Sequence, residues 1–316
     1  MSPTEYQHVP VLLNEVAFHL ITSKEGLYVD ATYGRGGHCR TLLGLLSKEA
    51  RIVGLDKDQQ AVESAKLLAS QDSRLIPIHG KFSNLKSELS KHGLSAVDGI
   101  LMDLGVSSPQ LDDPARGFSF QSEGPLDMRM DRSSRMTASI WLNSATAIDI
   151  ESALRRLGDE KQAKSIAREI VAKRPLNTTR ELSDLVLTVK GKISRRARVH
   201  PATKTFQAIR MVINSEIEEL SEGLKVAFDC LAIGGRLAVI SFHSHEDRIV
   251  KSFFFEKCGK ANQLPRRIPF PGHLFATKAK LLSGPIRPGA KELSNNPRAR
   301  SATLRIIEKI MEDEGS

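Results

Sequence analysis

The chain has 316 residues, 40% of them apolar, and a formal net charge of +9. At roughly 150 residues per domain, that length predicts one large domain or two unequal ones. No run approaches the roughly 18 to 20 apolar residues of a membrane span, and the N-terminus "MSPTEYQHVPVLLNEV" carries no basic region ahead of a long apolar block.

A soluble, cytoplasmic chain is therefore expected. Cys39, Cys230 and Cys258 lie far apart and form no CxxC pair. They read as reduced thiols, not as a disulfide frame or a zinc site, and no metal is expected. The positive charge is unevenly placed. Residues 111–205 hold 18 Lys and Arg against 12 Asp and Glu, and residues 257–300 hold 10 against 1. The remainder of the chain is acidic. Clustered positive charge is the footprint of a polyanionic partner, and nucleic acid is the expected one.

In chain order, the first 105 residues alternate strand and helix patterns. "GLYVDA" is a short strand, "GHCRTLLGLLSK" a helix, and "RIVGLD" a strand. "DQQAVESAKLLAS" is a helix with Asp58 as its N-cap. "RLIPIHG" is a strand, "FSNLKSELSKHG" a helix, and "VDGILMDLG" a buried strand. This alternation predicts right-handed crossovers and a parallel sheet with helices on both faces.

The rhythm then breaks at a polar stretch rich in Gly, Ser and Pro that runs to about residue 135. It is too long for an ordinary connection and reads as a functional loop; Phe118, Phe120 and Arg129 are its candidates for closing over a ligand. Helical patterns follow in "TASIWLNSA", "IDIESALRRLGDEKQAKSIAREIVAK" and "TTRELSDLVLTVK", with no strand among them. Phe206, Ile209, Ile213, Ile217, Leu220, Leu224 and Phe228 then form one apolar stripe, predicting one long helix. "GGRLAVISF" is a buried strand, "SHEDRIVKSFFFEK" a helix with a capping box of Ser244 and Asp247, and "SATLRIIEKI" a last strand. The expected organisation is a doubly wound α/β domain in two parts, 1–110 and 206–316, around an inserted helical domain, 111–205.

The stretch "VDATYGRGGHC", Val29 to Cys39, turns from strand into helix around a small ligand. It lacks the third glycine of the dinucleotide fingerprint, which is Cys39 here, and the Lys and Ser/Thr of a P-loop. Gly34, Gly36 and Gly37 give a bare backbone for close approach, and the helix that follows offers N–H groups to a carboxylate. Asp30 precedes the turn. Asp56 ends the next strand, where a ribose-binding carboxylate belongs, and Asp103 ends another. Three carboxylates around one crevice repel phosphates but suit S-adenosylmethionine, whose sulfonium and amino group are cationic.

Longer motifs sharpen this. "HVPVLLNEV", "ATYGRGGH", "DGILMDLGVSSPQLDDPARGFSF", "GPLDMRMD", "HPATKTFQAIRMVINSE", "GGRLAVISFHSHEDRIVK" and "NPRARSATLR" span nearly the whole chain. In these it resembles the bacterial ribosomal RNA small-subunit methyltransferase H (RsmH, formerly MraW) family. The resemblance implies a class I S-adenosylmethionine-dependent methyltransferase fold with an inserted helical domain. It implies methyl transfer to the exocyclic N(4) amine of one cytidine in small-subunit (16S) ribosomal RNA. By motif position it also implies cofactor contacts from Gly36, Gly37, His38, Asp56, Phe82, Asp103 and Gln110. The family usually has an apolar residue where this chain has His245.

The amine lone pair of cytosine is delocalised into the ring, so the expected catalyst is a hydrogen-bond acceptor on the amine plus good positioning, with direct in-line displacement. Asp103 is the candidate acceptor. Backbone carbonyls and hydroxyls of Val106 to Ser108 are the alternative. A ring-carbon methylase would need a cysteine beside the pocket, and none is well placed. His243, at the next strand tip, could orient the base or collect a proton, although a lone strand-end histidine is more often structural. The base must be unpaired or flipped out. Lys190, Lys192, Arg195, Arg196, Arg198 and Lys204 sit in a stretch without an acid and are the candidate RNA phosphate contacts. Trp141 could stack on a base or pack in a core. Ribosomal RNA or the small subunit is the expected partner, and homodimerisation is compatible with the pattern. A DNA amino-methyltransferase and a non-catalytic ribosome-assembly factor are the rival readings.

Overall fold

The computed structural model describes residues 10–191, 200–259 and 277–311, which form two compact units. The first unit comprises residues up to Gly105 and from Glu218 onward; the second runs from Val106 to Ile217.

The first unit opens with α1 (Leu13–Leu20), followed by β1 (Leu27–Asp30), α2 (Gly37–Leu45), β2 (Arg51–Asp56) and α3 (Gln59–Ala69). Next come β3 (Leu75–His79), α4 (Leu85–Lys91) and β4 (Val97–Asp103). After the second unit the chain returns through α11 (Glu216–Cys230), β5 (Leu231–Ser241), α12 (Ser244–Lys257), β6 (Ala279–Leu281), α13 (Ala290–Asn295) and β7 (Thr303–Lys309). The sheet order is β3-β2-β1-β4-β5-β7-β6. The first five strands pair in parallel, and β7 runs antiparallel between β5 and β6. This is the doubly wound, Rossmann-like arrangement that the resemblance implies, with a reversed strand that periodicity did not reveal.

Strand alternation sorts the core into two faces. Val29, Ile100, Met102, Leu237 and Val239 join Leu85, Leu224, Phe228 and Phe254 on one side. Tyr28, Leu101, Ala238 and Ile240 join Val16, Leu20, Leu42 and Ala65 on the other. With both faces covered, the strands read as nearly continuous apolar runs. Each large apolar side chain buried this way contributes roughly 1.5–3 kcal/mol.

The second unit carries α5 (Ser108–Asp112), α6 (Ala138–Ser144), α7 (Ala147–Gly158), α8 (Ala163–Ala172), α9 (Thr179–Lys190) and α10 (Thr203–Ile213). Its helix starts are chemically marked. Thr146 and Asp149 close a capping box on α7, and Thr178 and Glu181 close one on α9. The single helical pattern expected from residue 148 to 173 is two helices, because Asp159 turns left-handed at φ 47° and ends α7. The long polar stretch is packed, not free. Phe118, Leu126, Met128 and Met130 belong to the core of this unit, and Phe120 stacks on His200 at 4.3 Å and meets Phe206 edge-on at 5.1 Å. Arg129 is held by Asp127 and by the carbonyls of Arg132 and Ser134. Phe118 and Phe120, two of the side chains expected to close over a ligand, thus pack on this core. Trp141 packs against the same cluster.

The expected continuous helix from Phe206 to Phe228 is also two. Ser215, at φ 47°, breaks it between α10 and α11. Both halves keep their three- and four-residue spacing, so the stripe survives the break in sequence. Phe206 and Ile209 serve the core of the second unit; Leu220, Leu224 and Phe228 serve that of the first. The return to the first unit therefore falls after Ile217, not before Phe206.

Candidate active site

The carboxyl tips of β1, β2 and β4 gather three acids in the first unit. β1 ends at Asp30, which is 1% exposed and accepts a hydrogen bond from the Thr32 N–H at 3.3 Å. Burial pushes its carboxyl up to about 7; nearby His38 opposes the shift, while Asp103 and Asp56 add to it. The chain then turns through Gly34 (φ 56°) and Gly36 (φ 71°), conformations that favour glycine. Gly36 caps α2 without a side chain, so the first N–H groups of that helix lack intrahelical partners. They offer a ready anion site.

Asp56 ends β2 and does more than the sequence suggested. Its Oδ2 accepts from the Gly34 N–H and its Oδ1 from the Asp58 N–H, each at 2.8 Å. The acid assigned to a ribose thus also ties down the glycine turn. Burial raises its pKa, against the two backbone hydrogen bonds. Asp58 caps α3 as expected.

Asp103 ends β4 and donates its backbone N–H to Thr32 Oγ1 at 2.6 Å. Its Oδ2 lies 3.6 Å from His38 Nε2, slightly beyond hydrogen-bond length, and its Oδ1 is buried with no hydrogen-bond partner among the described residues. Neither ring nitrogen of His38 has one. Burial alone would lower the His38 pKa, but Asp103, Asp30 and Glu292 together raise it. Buried polar atoms in native folds are almost always satisfied, which makes this cluster a candidate ligand site. Its acids, left-handed glycines and bare helix N-terminus fit the cationic and carboxylate groups of S-adenosylmethionine.

Phe82 follows β3 and is buried against Gly223 of α11. A Cβ at Gly223 would lie 2.2 Å from the Phe82 ring, so only glycine permits this seat. One turn earlier on α11, Glu219 binds Lys57 at 2.6 Å, with its other oxygen buried and without a hydrogen-bond partner among the described residues. Sequence reading missed this pair, since neither residue belongs to a motif.

His243, at the tip of β5, is structurally engaged. It is the N-cap of α12, and its Nδ1 accepts from the Glu246 N–H at 3.4 Å. Its Nε2 lies 2.8 Å from Glu246 Oε1, without the alignment of a hydrogen bond. The expected Ser244–Asp247 capping box is therefore corrected: His243 caps, and Asp247 instead binds Arg305 through both carboxylate oxygens at 2.7 and 3.0 Å. The cysteines are buried, and burial raises the Cys39 thiol and lifts Cys230 to about 11, so neither is a poised nucleophile.

Gln110 lies in the second unit, where its side chain accepts from the Ser107 N–H at 3.0 Å and closes the capping box of α5. Lys190 is committed to Glu160 at 2.5 Å and to the Pro201 carbonyl at 2.6 Å, which corrects its reading as a free phosphate contact. Lys204 donates to the Asp159 carbonyl at 3.0 Å on the surface. Lys192, Arg195, Arg196 and Arg198 lie outside the described residues.

The model of the MraW methylase family matches residues 5–310. The chain belongs to the MraW methylase family. Among curated members, a ribosomal RNA small subunit methyltransferase H of Coxiella burnetii is 46% identical over 307 residues, covering 96% of this chain and 99% of its own. One from Nitrosomonas eutropha is 45% identical over 311 residues, covering 96% and 97%. Among solved structures, an rRNA methylase from Streptococcus thermophilus aligns over 95% of this chain and 94% of its own at 13% identity, with a TM-score of only 0.40. No helix among the described residues is long and apolar enough to cross a membrane.

Proposed function

We propose that this MraW-family chain methylates the exocyclic N(4) amine of a cytidine in small-subunit ribosomal RNA, with Asp103 as the acceptor that holds the amine. The observation that carries the reading is the buried, unpartnered Asp103 Oδ1 beside an unpartnered His38 at the tip of β4.

When bound, S-adenosylmethionine supplies an electrophilic methyl carbon on a cationic sulfur. The turn from Gly34 to His38 and the N-terminus of α2 would hold its carboxylate. Asp56 would take the ribose hydroxyls, and Phe82 would bound the adenine. His38 faces Asp103 Oδ2, which leaves Oδ1 for the amine of the base. A carboxylate there accepts a hydrogen bond from the amine, favours its pyramidal form and receives its proton as charge develops. His243 caps α12 through Nδ1 and is assigned no part in this step. Binding to RNA draws on the basic stretch from residue 192 to Lys204, and the reaction belongs in the cytoplasm.

The test is labelled-methyl transfer to purified small subunits, to free ribosomal RNA and to DNA, with Asp103→Asn and Asp103→Ala beside the native chain. Both variants should lose at least about a hundredfold in kcat while still binding RNA. Native-like turnover in Asp103→Ala would remove Asp103 from the chemistry. Preference for DNA, or RNA binding without any transfer by the native chain, would overturn the substrate and the activity respectively.

A further inference from the structure

The N-terminal segment from Pro10 to Leu12 sits directly on the glycine turn. A Cβ built at Gly37 would lie 2.2 Å from Pro10 Cγ, so the proline ring occupies the space beside the first residue of α2. Leu12, two residues on, is fully buried and held left-handed at φ 55° and ψ 36°. That conformation is costly for a leucine and persists only where its surroundings fix it. What fixes it comes from the far end of the chain. Leu12 N–H donates to Glu292 Oε1 at 2.7 Å, across 280 residues of sequence. Glu292 stands in the first turn of α13, and Leu293 beside it packs on the same apolar cluster as Val11, Leu12 and Cys39. The Glu292 carboxylate is also one of the charges acting on His38.

We propose that Glu292 is a positioning residue for the methyl donor: by holding the Leu12 N–H it seats Pro10 against Gly37 and so fixes the entry of α2 and the placement of His38. This rests on the reading that the turn from Gly34 to His38 holds the donor. Its hydrogen bond goes to the strap, and it acts through the three residues from Pro10 to Leu12. Without it, a buried N–H in a strained conformation loses its acceptor, and the strap relaxes toward ordinary backbone. The proline then leaves Gly37, and the turn no longer waits in its binding shape. The cost falls on donor affinity, not on the chemical step.

The experiment compares the full native chain with Glu292→Ala, Glu292→Gln, Pro10→Gly and Asp56→Ala. Calorimetry with S-adenosylmethionine gives Kd, steady-state methyl transfer gives KM and kcat, and hydrogen exchange of the ligand-free chain follows residues 10 to 16. Glu292→Ala should weaken Kd and raise KM by about tenfold, the weight of one buried backbone hydrogen bond, with kcat at saturation within about twofold. Exchange at Leu12 and Val16 should quicken in the same variant. Glu292→Gln keeps an oxygen acceptor and should restore affinity to within about threefold. Pro10→Gly should reproduce the loss, and carries the test with Glu292→Gln should the alanine variant not fold. Unchanged affinity in Glu292→Ala or Pro10→Gly overturns the proposal, even if the melting temperature drops. So does a glutamine variant as weak as the alanine one. If Asp56→Ala loses affinity while Glu292→Ala keeps it, only the strap is wrong. If Asp56→Ala binds normally, the donor site itself is misassigned.

Discussion

Asp30 makes stability depend on pH in an unusual direction. It is 1% exposed, and burial lifts its carboxyl from 3.8 to about 7. In the unfolded chain it ionises near its ordinary value. Between those two pH values the folded state therefore binds more protons than the unfolded one, and stability falls as pH rises. Well below its ordinary value of 3.8 the group is neutral in both states and costs nothing. Above pH 7 the folded chain carries a buried carboxylate. The gap of about three pH units corresponds to about 4 kcal/mol lost across the window. Asp30→Asn is nearly isosteric, keeps an oxygen for the Thr32 N–H, and cannot ionise. In urea denaturation of the ligand-free chain, the native protein should fall relative to Asp30→Asn by about 3 kcal/mol between pH 5 and pH 8.5, the rest of the change lying below pH 5. Circular dichroism is the appropriate probe, because the only tryptophan, Trp141, reports on the other unit. Asp30 and His38 act on each other, so the double difference reports the coupled pair. A native-minus-variant difference that stays constant within 1 kcal/mol, roughly the error of the extrapolations, would refute the reasoning.

Two further outcomes follow from packing in the first unit. Gly223→Ala gains helix propensity but drives a methyl into the Phe82 ring, so it should cost about 1–3 kcal/mol and raise the KM for S-adenosylmethionine more than it lowers kcat; an intact KM would show that Phe82 does not bound the donor. Lys57→Met strands the buried Glu219 carboxylate and should cost about 3–5 kcal/mol, most of it recovered in the double variant Lys57→Met with Glu219→Leu. Thermal or urea unfolding of the single and double variants decides this, and a single variant within 1 kcal/mol of native, roughly the worth of an exposed pair, would show that water still reaches Glu219.

What the sequence revealed about this chain, it revealed through short-range order. Strand, turn and helix around Gly34 lie within a dozen residues, and the rule that ligands bind at the carboxyl tips of a parallel sheet then locates Asp56 and Asp103 without further information. Apolar alternation found five strands of the parallel region. It could not find the direction of β7, since pairing sense leaves no mark on a largely buried strand. Nor could it find the breaks at Asp159 and Ser215. Neither residue is the glycine that normally announces a left-handed position, and the apolar spacing runs through Ser215 undisturbed.

The contacts that set the chemistry are of a different kind. Lys57 meets Glu219 across 162 residues, Arg305 meets Asp247 across 58, and Glu292 meets Leu12 across 280. No local pattern encodes such partners, and their absence from the reading had consequences. Asp247, whose true partner is Arg305, looked like half of a helix cap. His243, the true cap, looked like a candidate acid or base. Lys190, paired with Glu160, looked free for phosphate. In each case a polar side chain was assigned by its neighbours in sequence when its energy is decided by its neighbours in space. The exceptions prove informative. Asp103 Oδ1 and both nitrogens of His38 have no hydrogen-bond partner among the described residues, and these belong to the residues that the family motifs had singled out. Long-range pairing thus satisfies most polar groups among the described residues, and of the few it leaves, Asp103 Oδ1 and the two His38 nitrogens are the ones gathered at the tip of β4.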